Sequence, residues 1–106
     1  MTADPADRQP ASADAPYYVY ILECSDGSFY IGMTNNLERR VRAHNEGVAS
    51  KYTRSRRPVT LRWQEHCGTR SQALIRECSL RLLSRKEKQE LVSRQLPINP
   101  EKLVGQ

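Results

Sequence analysis

Residues 17–46, YYVYILECSDGSFYIGMTNNLERRVRAHNE, constrain the fold more than any other stretch of this chain. Tyr, Val and Ile alternate over 17–24, which predicts a strand, and FYIGM at 29–33 predicts a second. Ser25-Asp26-Gly27-Ser28 between them is a turn signal, so the pair reads as a hairpin. Loop length then decides which side chains share a face, because strand side chains alternate with a period of two. A two-residue Asp26-Gly27 loop pairs Glu23 with Tyr30 and sends Tyr20 to the opposite face. A three-residue loop, Ser25-Asp26-Gly27 with Gly27 left-handed, pairs Leu22 with Tyr30 and sets Tyr20 opposite Gly32. Both registers are open to the sequence. A site that uses Tyr20 and Tyr30 together needs the second.

After the hairpin, Thr34-Asn35-Asn36 opens a helix, with Asn35 and Glu38 spaced as a capping box. Leu37, Val41 and Val48 mark its apolar stripe, and Arg40 and His44, at i and i+4, lie together beside it. Gly47 is the expected helix-ending residue. Residues 48–58 read as a basic loop. Residues 59–67 alternate again and predict a third strand with Val59, Leu61, Trp63, Glu65 and Cys67 on one side. Thr69 with Gln72 and Ser84 with Glu87 are two further capping boxes. The first opens a helix to about Leu83, whose apolar positions are Leu74, Ile75, Cys78 and Leu82; the second opens one to about Arg94. The order β-β-α-β-α-α predicts an α+β sandwich: a three-stranded antiparallel sheet flanked by helices.

At 106 residues the chain reads as one domain over 17–95, with a disordered N-terminal tail at 1–16 and a C-terminal tail at 96–106. In the N-terminal tail Asp4, Asp7 and Asp14 against Arg8 give −2, so with +5 overall the other 90 residues carry +7. That excess points to a polyanionic partner, of which nucleic acid is the commonest. Mean hydropathy is -0.73 and no apolar run has the length of a membrane span. Three cysteines widely spaced, Cys24, Cys67 and Cys78, argue against a disulfide framework or a cysteine zinc site. With no export signal read at the N-terminus, the expected home is the cytoplasm.

The spaced residues resemble those of the GIY-YIG nuclease domain, in its small stand-alone bacterial (YhbQ-like) form. The nuclease domain at the N-terminus of the excision-repair protein UvrC is similar. Tyr18-Val19-Tyr20 stands for the first motif and Tyr30-Ile31-Gly32 for the second, and the likeness runs from about Tyr17 to Leu91. Arg40 falls eight residues after Gly32, where the family keeps a helix arginine. His44 matches a position filled by His or Tyr, and Glu77, within ALIRE, matches the metal-binding glutamate. Tyr18 replaces the first glycine of the family name, and Met33 stands where some relatives carry a lysine. The resemblance implies a metal-dependent endonuclease acting on DNA, with RNA also open, and a setting in repair or recombination. It implies Tyr20 as general base and Glu77 as ligand of Mg²⁺ or Mn²⁺.

The chemistry agrees with those residue types. Phosphodiester hydrolysis needs an activated water and a stabiliser for charge building on phosphorus. Arg40 can fork two hydrogen bonds onto phosphate oxygens. Glu77 can hold a hard cation whose other ligands are waters and substrate phosphate. A free tyrosine has a pKa of about 10, so Tyr20 needs a cation nearby to serve as a base. Tyr30 would bond the attacking water or a phosphate oxygen, His44 would relay a proton or touch phosphate, and Gly32 would admit close backbone approach. Lys51, Arg54, Arg56 and Arg57 would grip a nucleic-acid backbone, and Tyr52 would stack on an unpaired base. Nothing resembles a base-reading helix, so selectivity is expected for structure more than for sequence. Taken singly, a strand tyrosine packs and a helix arginine is solvated; the joint spacing carries the functional reading. Two rivals share parts of the pattern: a nucleic-acid-binding module without catalysis, and a protein-interaction adaptor.

Overall fold

The computed structural model describes residues 15–95. The expected tails therefore lie outside the described residues, apart from 15 and 16, which lead into the first strand without regular structure. Strands β1 (Tyr17–Glu23), β2 (Phe29–Thr34) and β3 (Thr60–Gly68) form one antiparallel sheet in the order β2-β1-β3. Helices α1 (Leu37–Asn45) and α2 (Lys51–Arg54) follow β2; α3 (Arg70–Arg81) and α4 (Arg85–Ser93) follow β3. The α+β sandwich and the element order expected from the sequence are both present. Among the described residues the one added element is α2, a single helical turn inside the basic stretch read as loop, with Ser50 as its N-cap.

The hairpin takes the second register. Leu22 pairs with Tyr30 and Tyr20 with Gly32. The Cys24 amide donates to the Ser28 carbonyl at 2.8 Å and the Gly27 amide to the Cys24 carbonyl at 2.9 Å, closing the three-residue loop. Gly27 sits at φ +84, in the left-handed region a side chain resists.

β1 is the central strand, and its alternation feeds two cores. Val19 and Ile21 join Ile31, Trp63, Ala73, Leu80 and Val92 under α3 and α4. Tyr20 and Leu22 join Cys24, Leu37, Val41, Val59 and Leu61 on the other face, with α1. The expectation that Val59, Leu61, Trp63, Glu65 and Cys67 share one side is corrected here. Ile21 pairs with Trp63 but Leu22 with Leu61, so Arg62 is an extra residue and the strand changes face. Val59 and Leu61 thus serve one core and Trp63 the other, while Arg62 turns to an ion pair with Glu23.

Helix ends follow local chemistry. Both later capping boxes form as read, Thr69 with Gln72 and Ser84 with Glu87. The first helix starts one residue later than expected: Asn36, not Asn35, caps it by accepting the Arg39 amide at 3.2 Å. Val48 lies beyond that helix and is 49% exposed, so it is no part of the stripe. On α3 only Ala73 and Leu80 are buried, whereas Leu74, Ile75 and Cys78, and Leu82 at its C-cap, face outward.

Candidate active site

The face of the sheet under α1 and α2 buries polar side chains. Tyr20, His44 and Thr53 are each 0% exposed. Tyr20 projects from the middle of β1 towards α1, and its hydroxyl lies 3.0 Å from His44 Nε2. Arg40, one helical turn before His44, donates from Nε to the same hydroxyl at 3.4 Å. His44 Nδ1 lies 2.8 Å from Thr53 Oγ1. Thr53 Oγ1 in turn meets Ser50 Oγ at 3.0 Å. A continuous polar chain therefore runs from Arg40 through Tyr20, His44 and Thr53 to Ser50.

Gly32 is where Tyr20 rests. A Cβ on Gly32 would stand 2.6 Å from Tyr20 Cζ, so any side chain would push the phenol away. The close approach expected at this glycine is thus made by Tyr20 itself. Tyr30, half-buried on β2, turns its ring edge-on to His44 with centroids 5.1 Å apart. Among the described residues the Tyr30 hydroxyl has no hydrogen-bond partner.

Burial holds His44 well below the ordinary histidine value, at about 4, and the Arg40 guanidinium adds to the effect. The ring is therefore neutral near pH 7. Burial also raises the Cys24 thiol, the first of several causes, so that cysteine packs as a small hydrophobe.

Glu77 stands apart from this cluster. It lies on α3, across the sheet from α1, with its side chain 13% exposed. Its Oε2 accepts from Arg81 at 3.1 Å, and Arg81 also donates to the Ile31 carbonyl at 3.3 Å. Ile31 precedes Gly32, so Glu77 is tied to the strand that carries Tyr30 and Gly32, at its other face. Among the described residues no three His, Cys, Asp or Glu side chains gather as a metal cage. Glu77 suits a hard cation only as a single carboxylate: Arg81 engages Oε2, Oε1 remains, and the other ligands must be water and phosphate.

The basic segment divides into two kinds of residue. Arg56 pairs with Asp26 at 3.0 Å and lies 3.9 Å over the Tyr52 ring. Arg57 donates to the Arg54 carbonyl at 2.9 Å and to the Asn45 carbonyl at 3.5 Å. Both are engaged in holding the segment down. Among the described residues Lys51 and Arg54 have no side-chain hydrogen bond or ion pair and face outward. Arg54 and Arg57 line a groove of about 590 Å³ with Asn45, Ser55 and Pro58. Tyr52 also stacks on Tyr30, centroids 5.9 Å apart, so its ring is engaged by Arg56 and Tyr30 before any base arrives.

Three contributors escaped the sequence reading. Thr53 and Ser50 complete the chain behind His44, and Asn45 anchors the end of α1 to Val59, the residue before β3. The Asn45 side chain accepts the Val59 amide at 2.7 Å and donates to the Val59 carbonyl at 3.1 Å. The Ser-x-x-Thr spacing at 50–53 was the available signal, since Ser is a preferred N-cap.

Comparison with known proteins converges on one family. The profile of the GIY-YIG catalytic domain matches residues 16–90. A UPF0213 protein of Haloquadratum walsbyi is 51% identical over 83 residues, which cover 78% of this chain and 93% of that one. A UPF0213 protein of Halobacterium salinarum is 48% identical over 75 residues, covering 71% and 97%. A solution NMR structure of a protein from E. faecalis is 41% identical and superposes with a TM-score of 0.51, covering 74% of this chain and 84% of that one.

Proposed function

The chain belongs to the GIY-YIG catalytic domain family, a nuclease family, and from that premise we propose that it is a metal-dependent endonuclease hydrolysing phosphodiester bonds in DNA. The observation that carries this reading is the Tyr20 phenol, buried on Gly32 between His44 Nε2 and Arg40 Nε. A tyrosine that only packed would not need a buried neutral histidine and a guanidinium on its hydroxyl.

The residues suit a proton relay. As an attacking water gives a proton to the Tyr20 oxygen, the phenol passes its own proton to His44 Nε2. The hydroxide left behind forms the new P–O bond while the ester oxygen leaves. Handing on the proton avoids building a full tyrosinate, whose pKa of about 10 would cost rate near neutrality. Tyr20 is fully buried, so water reaches it only when a neighbour moves. Arg40 is half-buried and held to the phenol by a long 3.4 Å bond. A phosphate drawing Arg40 outward would uncover the phenol and gain two charge-assisted hydrogen bonds. Losing that neighbouring cation would also raise the proton affinity of His44 at the moment it is needed. Tyr30 would meet the water or a phosphate oxygen with its unpaired hydroxyl.

Glu77 would hold Mg²⁺ or Mn²⁺, which supplies Lewis-acid stabilisation of the phosphoryl oxygens and the leaving oxygen. Lys51 and Arg54 would meet the backbone, consistent with selectivity for structure; damaged or branched DNA, and hence repair, is the natural setting. RNA remains within reach of the same contacts.

A second reading has two observations in its favour: Tyr20 is sealed and Glu77 Oε2 is engaged by Arg81, as in a nucleic-acid-binding module without catalysis. A cleavage assay on labelled single-stranded, duplex, flap and junction DNA separates the two. Products that need Mg²⁺ and vanish in Glu77→Ala are expected. Binding that weakens with salt, without products on any substrate, would replace the nuclease by the module.

A further inference from the structure

The groups at the two ends of the polar chain behind Tyr20 favour one direction through it. Arg40 at one end can only donate, so the Tyr20 oxygen is an acceptor towards it. At the other end the Ser50 carbonyl can only accept. Thr53 Oγ1 lies 3.5 Å from it, the back-bond a hydroxyl makes within a helical turn, and 3.0 Å from Ser50 Oγ, a contact in which either hydroxyl can donate. Ser50 Oγ already accepts the Thr53 amide at 3.1 Å, which fixes Thr53 over it. With its hydrogen directed to Ser50, Thr53 Oγ1 presents a lone pair to His44 Nδ1 at 2.8 Å.

From this geometry we infer that Thr53 is a positioning residue, holding the His44 ring with a hydrogen on Nδ1 and the Nε2 lone pair on the Tyr20 hydroxyl. A neutral imidazole carries one hydrogen, so an Nδ1–H bond to Thr53 makes Nε2 the acceptor. The opposite tautomer would point Nε2–H at an oxygen that already takes a hydrogen from Arg40. It would also leave nothing on Nε2 to receive the phenol proton. Burial adds support, because it keeps the ring neutral and so makes the tautomer matter. Thr53 belongs to the same helical turn as Lys51, Tyr52 and Arg54. The segment that would meet the substrate backbone is therefore bonded directly to the residue that orients the relay.

The assignment of the tautomer stands on geometry; its consequence for rate rests on the nuclease reading. Both are reached with the ¹⁵N-labelled full chain and a long-range ¹H–¹⁵N spectrum near pH 7, where an unprotonated imidazole shows one nitrogen of each type. A His66→Gln variant leaves one histidine and identifies the His44 signals. The expected result is a protonated Nδ1 and an unprotonated Nε2; a protonated Nε2 overturns the inference. Thr53→Val keeps the shape without the hydroxyl and is expected to lose the Nδ1–H preference, with Thr53→Ser restoring it. A Thr53→Val protein with the amide spectrum intact and the tautomer unaltered would also overturn it. Should that variant not fold, Thr53→Cys, close in size with only a weak acceptor, carries the same comparison. In the cleavage assay Thr53→Val should lower kcat by about tenfold or more with KM little altered, and Thr53→Ser should recover it. A wild-type chain with the expected tautomer and no cleavage of any substrate would sink the nuclease and leave the role of Thr53 in place.

Discussion

The two faces of the sheet are built by opposite rules from one strand. Val19 and Ile21 on β1 enter a core of apolar side chains under α3 and α4, where ion pairs such as Glu65–Arg76 and Glu77–Arg81 stay at the rim. Tyr20, between them in sequence, enters the other face, where His44 and Thr53 are buried with it and hydrogen-bonded. A buried polar group is costly unless satisfied, and here the phenol, the imidazole and the threonine hydroxyl each have partners. The α3–α4 face is packed by apolar side chains, with Glu77 at its rim, and the α1–α2 face buries the polar chain on which the proposed relay rests.

Neighbouring substitutions on β1 give the largest test of that division. Ile21→Val should cost about 0.5–1.5 kcal/mol and leave cleavage per folded molecule unaltered. Tyr20→Phe leaves His44 Nε2 without its phenol and should cost a similar 1–3 kcal/mol or so, roughly the penalty of an unsatisfied buried group. Its cleavage should nevertheless fall by about 100-fold or more, the usual contribution of general acid–base groups. Denaturant melts and single-turnover rates on both variants check this. Equal retention of activity would erase the distinction between the faces.

Lowering the pH separates the faces by stability. His44 binds a proton at about 4 in the folded chain and near its ordinary 6.5 when unfolded. Between those values the unfolded state binds more protons, so its contribution is full above 6.5 and is lost as pH falls towards 4. The shift corresponds to a loss on the order of 3 kcal/mol. Unfolding midpoints measured across that window should fall for the wild type, and the fall should shrink in His44→Phe. An equal fall in both proteins would mean that the rim carboxylates, not this face, govern the acid response.

How far the sequence disclosed this arrangement depends on how local each signal is. The hairpin register was narrowed to two by the loop, and Gly27 was the residue that one of them required. Capping at Thr69 and Ser84 needs only residues three apart, so it was legible. Arg40 and His44 were legible as neighbours from their i, i+4 spacing, whereas their meeting with Tyr20 was implied by the resemblance alone, since period does not say which face of β1 the helix covers. Arg62 was not: a bulge depends on pairing with β1, which alternation along β3 alone does not contain. Thr53 was hidden for a related reason, since a polar residue in a basic stretch reads as solvated until α2 folds back on α1.

The smallest expected effect is at Leu82, just past α3, where apolar residue type and burial disagree. Leu80 is 1% exposed and Leu82, two residues on, is 87% exposed. Helix periodicity alone could not choose between them, because Leu74, Ile75, Cys78 and Leu82 form as regular a stripe as Ala73 and Leu80. The choice was made by the sheet: Ala73 is small enough for α3 to lie close against β1 and β2, which turns the larger side chains outward. Leu82→Ser should therefore alter stability by no more than about 0.5 kcal/mol, as for other exposed positions. Leu80→Ala should cost about 2–5 kcal/mol through the lost burial and the cavity it leaves. A Leu82→Ser protein that loses stability on the Leu80 scale would show that α3 buries its other side. That would move Glu77 relative to β2 and remove the basis for placing a cation there.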